Sequence, residues 1–281
     1  MKEKLHRMGQ RNSIGRAAKA IRSDKYHLYQ ESVQAADSEV AFFDRVYRKA
    51  YGRRPMVLRE DFCGTFLIAC EWIRSRRERE ARGIDLDPEP LEWGRANNLI
   101  MLSPDQQNRL TLIQGDVRDI HKCKADVVAA TNFSYFIFRE RNELRHYFEC
   151  ARKNLKNEGV LVLDLMGGPQ CHEEEYFERR RQDGFTYVWN HDTFNPINHH
   201  TTCRIHFSFP DGSEMKNAFV YEWRLWTIPE LSELLLEAGF TSADAYWECT
   251  EKATGEGNGI FTRRERAPSE ASWVAYVVGV K

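Results

Sequence analysis

Met56-Val57-Leu58-Arg59-Glu60-Asp61-Phe62-Cys63-Gly64-Thr65-Phe66 opens as a short apolar strand, passes through three consecutive charges and ends in a small-residue turn ahead of a helical run. A strand buried on both faces reads as a continuous apolar run, so ionised groups at its end must be exposed, paired or used. In open α/β sheets ligands bind outside that carboxyl end. Further along, Arg82-Gly83-Ile84-Asp85-Leu86-Asp87-Pro88 repeats the arrangement, a second short strand ending in a carboxylate. Two acids at successive strand ends point to a nucleoside site.

Outward from this pair, short apolar runs alternate with helical patterns, the signature of a parallel sheet wrapped by helices. Strands are expected over 56–60, 81–85, 110–114, 126–130 and 160–165, with helices over 67–77, 88–98 and 139–155. Asp87 is placed as N-cap and Pro88 as first helical residue. After Gly167-Gly168 the pattern changes. Residues 185–226 alternate aromatic and polar positions around the turn Pro210-Asp211-Gly212-Ser213, as antiparallel strands do. Thr227-Ile228-Pro229-Glu230 has capping-box spacing and starts a helix that stops at Gly239. Two last strands are expected over 243–248 and 273–280, joined by an exposed loop over 254–272. The fold class is therefore α/β, a Rossmann-like doubly wound sheet with an antiparallel aromatic-rich insertion forming a lid. The chain divides into a basic leader (1–25), a cofactor-binding core (26–169), the lid and substrate insertion (170–226) and a closing helix with two core strands (227–281).

Lys+Arg 41 against Asp+Glu 42 leaves a net charge of −1 over 281 residues, so no global field draws the protein to nucleic acid or anionic lipid. Eight Lys or Arg fall in residues 1–25. That stretch reads as a mobile, solvated leader, with a nucleic-acid arm or a targeting segment as alternatives. No apolar run is long enough to span a bilayer. The seven cysteines are scattered and never in C-x-x-C spacing, which favours free thiols in a reducing compartment. A cytoplasmic protein without membrane or metal partners is expected.

Taken in order, these elements resemble class I S-adenosylmethionine-dependent methyltransferases of the small-molecule type, over roughly residues 25–281. Glu60-Asp61-Phe62-Cys63-Gly64-Thr65 resembles the glycine-rich first motif, although Phe62 and Phe66 stand where glycines are usual. Asp85 matches the acid that accepts hydrogen bonds from both ribose hydroxyls. Gln114-Gly115-Asp116-Val117 resembles the third motif, in which an acid accepts from the adenine amino group. Thr131-Asn132-Phe133-Ser134-Tyr135 occupies the fourth, whose backbone faces the sulfonium and the incoming nucleophile. Lys25-Tyr26-His27-Leu28-Tyr29 resembles the segment that closes over the cofactor. The resemblance implies S-adenosylmethionine as cofactor and S-adenosylhomocysteine as product. It assigns to the cofactor Tyr26, Tyr29, Arg59, Glu60, Phe62, Cys63, Gly64, Thr65, Asp85, Leu86, Asp116, Val117, Asn132, Phe133 and Ser134.

Plainer readings stand beside these. Asp85 fits a cap of the following helix, Asp116 a turn acid, Arg59-Glu60-Asp61 an internal ion-pair cluster, and Cys63 a packed thiol rather than a nucleophile. The same sheet binds NAD in other proteins, but the turn here lacks the G-x-G-x-x-G pattern. For the acceptor side, His199 and His200 are candidate bases together with Tyr135. Asn132, Tyr135, Arg204, Arg224 and Trp226 are candidate substrate contacts. N- or O-methylation of a small molecule is the expected activity. An RNA or protein methyltransferase using the basic leader, and a non-catalytic adenosylmethionine-binding protein, are the alternatives.

Overall fold

Val57–Asp61 (β1), Glu80–Asp85 (β2), Leu110–Gln114 (β3), Ala125–Ala130 (β4) and Leu155–Gly167 (β5) pair in parallel, in the spatial order β3-β2-β1-β4-β5. The chain then forms Tyr176–Arg181 (β6), Thr186–Asn195 (β7), His200–Ser208 (β8) and Glu214–Arg224 (β9), a separate antiparallel sheet in sequence order. Ser242–Thr250 (β10), Gly257–Arg263 (β11) and Trp273–Val280 (β12) extend the first sheet antiparallel, in the order β11-β10-β12-β5. The computed structural model describes residues 19–250 and 257–281. They fall into two units, one comprising the described residues up to Gln34 with Gln170–Arg224, the other Ala35–Pro169 with Leu225–Lys281. Most of the basic leader lies outside the described residues.

Helices make the crossovers from β1 to β2, from β2 to β3 and from β4 to β5, because a parallel crossover cannot be made by a tight turn. In chain order the helices are Lys25–Val33 (α1), Ala36–Tyr51 (α2), Leu67–Ser75 (α3), Pro88–Asn97 (α4), Pro104–Gln107 (α5), Arg141–Asn154 (α6) and Ile228–Glu237 (α7). The local signals act as expected at two starts. Asp87 caps α4 through the Glu89 N–H, and Thr227 and Glu230 form the reciprocal box that opens α7. Strand order reverses beside β1, since β2 and β3 lie on one side and β4 and β5 on the other. That switch point opens a crevice at the carboxyl ends of β1 and β4.

Several elements escape the sequence reading, among them the short helices α1 and α5. Helix α2 was not anticipated, because acids and bases interrupt its apolar residues. Val40, Phe42, Phe43, Val46 and Tyr47 nevertheless recur on one face and are buried, as helical spacing requires. The loop expected over 254–272 holds β11, an edge strand whose exposed, glycine-containing pattern carries no alternation. The antiparallel sheet also begins earlier than 185, with the charged strand β6.

In the first unit's sheet, β8 alternates buried and half-exposed residues along its length, placing Thr201, Cys203, Ile205 and Phe207 inside. In the parallel unit Asp126, at the start of β4, accepts the Met56 and Val57 N–H groups at 2.9 and 2.8 Å, and Lys156 Nζ lies at 3.0 Å. Burial would push its carboxyl up, yet these donors hold it below the usual range. Among the described residues no helix is long and apolar enough to cross a membrane.

Candidate cofactor site

The turn after β1 bends three times through the left-handed region, at Phe62 (φ 56°), Gly64 (52°) and Phe66 (50°). Two of those positions are the ones where glycine was expected, so the backbone shape survives although the residue does not. Each bulky residue in this region costs about 1–2 kcal/mol. The rings offset it: Phe62 meets the Phe138 and Tyr147 rings at 5.9 and 5.7 Å, and Phe66 is fully buried. Gly94 of α4 lets the helix lie on the turn, since a Cβ there would stand 2.6 Å from the Thr65 carbonyl oxygen. Above Gly64 a Cβ would meet nothing within 4 Å, so the turn's outer side is open. Phe66→Gly relieves strain but deletes a buried ring worth about 3–5 kcal/mol. A net loss of about 2 kcal/mol is expected in denaturant unfolding, and an unchanged midpoint would contradict this packing account.

The charges at the end of β1 separate by role. Arg59, only 2% exposed, bonds Asp61 Oδ1 at 2.6 Å and the Val117 carbonyl at 2.6 Å. Tyr147 donates to the other Asp61 oxygen at 3.0 Å. The internal ion-pair reading therefore describes Arg59 and Asp61. Glu60 is buried and accepts the Ala69 N–H of α3 at 2.8 Å; burial drives its carboxyl well up. Cys63 is a buried thiol pushed well up by burial, as packing rather than nucleophilic use requires.

Asp85 ends β2 with Oδ2 on the Gly64 N–H at 2.7 Å and Oδ1 on the Asp87 N–H at 2.9 Å. It thus ties the two strand ends together, while Asp87 serves as the helix cap. Burial raises its carboxyl, and these backbone bonds oppose that rise. Leu86 beside it is 70% exposed. Asp116 holds Arg118 through both oxygens, at 2.9 and 2.6 Å, which keeps its carboxyl low. Arg118 is an addition that sequence reading did not make. Val117 is buried.

In the loop after β4, Asn132 (φ 57°) and Phe133 (φ 58°) are both left-handed. Their N–H groups donate to the two Asp164 oxygens at 2.7 and 2.9 Å, and Ser134 Oγ donates to the Thr131 carbonyl at 2.8 Å. Asp164, within β5, was missed, although a lone carboxylate in the apolar run Leu161-Val162-Leu163-Asp164-Leu165 obeys the rule that flagged residues 59–61. Burial pushes its carboxyl up to about 7. Tyr135 is fully buried with its hydroxyl donated to the Asp164 carbonyl at 2.7 Å, a packing role for a residue expected near substrate. Trp226 is buried too, its indole N–H on the Phe138 carbonyl at 3.2 Å.

Glu39 of α2 also belongs to this edge of the sheet, and burial together with the Asp164 charge pushes it up to about 8. Glu39 and Asp164 hold their protons more tightly folded than unfolded. Their support is full below the unfolded values and is lost as pH climbs through about 7 and about 8. Asp126 is held low, so its contribution is lost as pH falls through its folded value. The melting temperature of the ligand-free protein is therefore expected to peak at about pH 5 and to decline toward about pH 9. A midpoint that rises over that range would contradict the burial of these acids.

The other candidates lie in the antiparallel unit. Tyr26 and Tyr29 of α1 pack on Phe219 at 5.8 and 4.9 Å. Arg204 pairs with Asp192 at 2.7 Å, and Arg224 ends β9 opposite His200. His199 sits in the β7–β8 turn at φ 59° beside the rings of His172 and Phe194, while His200 begins β8. The two candidate bases are thus a turn residue and a strand residue. His191, unanticipated, is buried and accepts from the Trp189 indole at 2.8 Å; burial lowers it to about 4, so it is neutral.

No protein-family model matches the chain, and no curated protein matches it in sequence. Solved structures do. CalS10, an amino pentose methyltransferase from Micromonospora echinaspora solved with S-adenosylmethionine bound, superposes with a TM-score of 0.62 at 17% identity, over 90% of this chain and 95% of its own. DesVI of Streptomyces venezuelae gives 0.63 at 18%, over 91% and 96%. The sugar N-methyltransferase KedS8 from Streptoalloteichus sp. ATCC 53650 gives 0.61 at 18%, over 92% and 93%. With its strand order, its first-motif turn and these superpositions, the chain has the fold of the class I S-adenosylmethionine-dependent methyltransferases.

Proposed function

We propose that the protein is an S-adenosylmethionine-dependent methyltransferase that methylates an amine on a small molecule. The observation that carries this reading is Asp85, a partly shielded carboxylate at the end of β2, bonded to the open turn at Gly64. A carboxylate offers about four acceptor sites, so after the Gly64 and Asp87 N–H groups two remain for a vicinal diol. Asp116 and Val117 would hold adenine with Leu86 against its face, and the turn 62–65 would take the methionine portion. Bound there, adenosylmethionine supplies a methyl group on a sulfonium, an excellent leaving group.

The chain's own work is then alignment and exclusion of water. Asp164 fixes the left-handed backbone of Asn132 and Phe133 and with it the loop that lines the acceptor's approach. An amine acceptor needs only to lose a proton near neutral pH, so no strong base is required. CalS10 and KedS8 methylate amino sugars by their names, which favours an amine on a sugar or sugar conjugate over a hydroxyl. His199, His200 and Arg204 are proposed to recognise polar groups of the acceptor. Seven cysteines without a disulfide fit a cytoplasmic location.

Incubating the protein with adenosylmethionine and a panel of aminodeoxysugars, their nucleotide conjugates and hydroxyl-only analogues tests the reading. Adenosylhomocysteine release with amines alone is expected. Binding of adenosylhomocysteine without turnover across the panel would replace the enzyme reading with that of a non-catalytic binding protein.

A further inference from the structure

Four carboxylates gather at one edge of the parallel sheet: Glu39 from α2, Glu60 near the end of β1, Asp85 at the end of β2 and Asp164 in β5. Their charges act on one another, Asp164 on Glu39, and Glu39 and Asp85 on Glu60. Three have donors. Glu60 takes the Ala69 N–H, Asp85 those of Gly64 and Asp87, and Asp164 those of Asn132 and Phe133. Glu39 differs. It is 8% exposed, the Thr131 side chain lies close enough to act on its carboxyl, and Oε2 is buried without a hydrogen-bond partner. An orphaned buried carboxylate oxygen is expensive unless a donor arrives.

The surroundings say what kind of donor fits. Besides Asp164, the acids acting with Glu39 are Asp37 of its own helix and Glu60, and Tyr276 of β12, facing both Glu39 and Asp164, has its phenol pushed well up. Among the described residues, no Lys, Arg or His forms a hydrogen bond or ion pair with Glu39, Glu60 or Asp164. No His, Cys, Asp and Glu group there has the arrangement of a metal site. An organic cation with several N–H donors matches a seat of acceptors only.

We propose that Glu39 is the counter-charge for an alkylammonium group, seated against its unpartnered oxygen with Asp164 and Thr131 alongside. The inference rests on the methyltransferase reading, which offers two sources: the amino group of the cofactor's methionine end and the amine of an acceptor. In the ligand-free protein Glu39, pushed up to about 8, carries a proton at neutral pH. An ammonium arriving beside it favours the ionised form, and the displaced proton passes to the buffer.

Calorimetry at pH 7 in two buffers of different ionisation enthalpy reads both affinity and proton release. Adenosylhomocysteine is titrated into wild type, Glu39→Gln and Glu39→Asp, alongside an adenosylhomocysteine analogue lacking the amino group. A second arm titrates the methyl glycoside of an aminodeoxyhexose into protein saturated with adenosylhomocysteine. Glu39→Gln mimics the protonated acid, so its melting temperature at pH 7 is expected to match or exceed wild type. It is expected to lose about 10-fold or more in adenosylhomocysteine affinity, the scale of one charge-assisted bond. Proton release should vanish with it, and Glu39→Asp should restore part of both. The analogue should bind both proteins alike, without proton release. Loss confined to the aminodeoxyhexose arm assigns the ammonium to the acceptor and keeps the proposal. Equal affinities and no proton release in either arm overturn it. If wild type binds no adenosylhomocysteine, the methyltransferase reading itself fails, and this inference fails with it.

Discussion

Asp85→Ala is expected to weaken adenosylhomocysteine binding by about 1.5–3 kcal/mol, roughly a 10- to 150-fold rise in Kd. On the proposed assignment the substitution removes the acceptor for two ribose hydroxyls, and it also releases the Gly64 N–H and the Asp87 N–H. Asp85→Asn separates the two effects, because its amide oxygen can still accept from Gly64 while offering one acceptor fewer to the diol. Its loss should fall between wild type and alanine. Asp116→Ala should cost less, since that carboxylate is half-exposed and already shared with Arg118. Titration calorimetry on the three variants ranks them. A Kd for Asp85→Ala equal to wild type would remove Asp85 from the cofactor.

Asp164→Ala should act on turnover more than on cofactor affinity. It leaves the Asn132 and Phe133 N–H groups without their acceptor, and two adjacent non-glycine residues at positive φ cost about 1–3 kcal/mol each without such a tie. The loop is then expected to relax, and a displacement of about 1 Å at a reacting centre costs about 10²-fold in rate. Asp164→Asn keeps one acceptor oxygen and should retain intermediate activity. The check is kcat from adenosylhomocysteine release with the acceptor found by the panel, beside the Kd of each variant. Wild-type kcat in Asp164→Ala would show that the loop is held by other contacts.

The legible parts of the sequence were those in which one chemical pattern dominates a short window. Apolar runs ending in Asp61, Asp85 and Gln114 gave the parallel strands, and Thr227 with Glu230 gave the start of α7. The first-motif turn was legible in spite of its glycine substitutions, because the backbone can reach left-handed φ at Phe62 and Phe66 when packing holds the rings. What stayed hidden depends on contacts distant in sequence. Glu39 lies on a helix whose charges mask its apolar face, and its proposed role depends on the chain after β4 and on β5, which bring Thr131 and Asp164 beside it. For Arg59 the sequence left both a cofactor contact, implied by the resemblance, and an internal ion pair open. Its length lets it turn inward to Asp61 and the Val117 carbonyl. The turn that sets His199 apart from His200 was equally hidden, since the Asn195 and Asn198 side chains accept the Ile197 and His200 N–H groups there.

Titrating the wild-type protein with adenosylhomocysteine tests the central claim most directly, because it needs neither the acceptor nor a variant. Saturable one-to-one binding, competed by adenosylmethionine and untouched by NAD, is the expected result. Absence of binding to either adenosyl compound, or tighter binding of NAD, would contradict it.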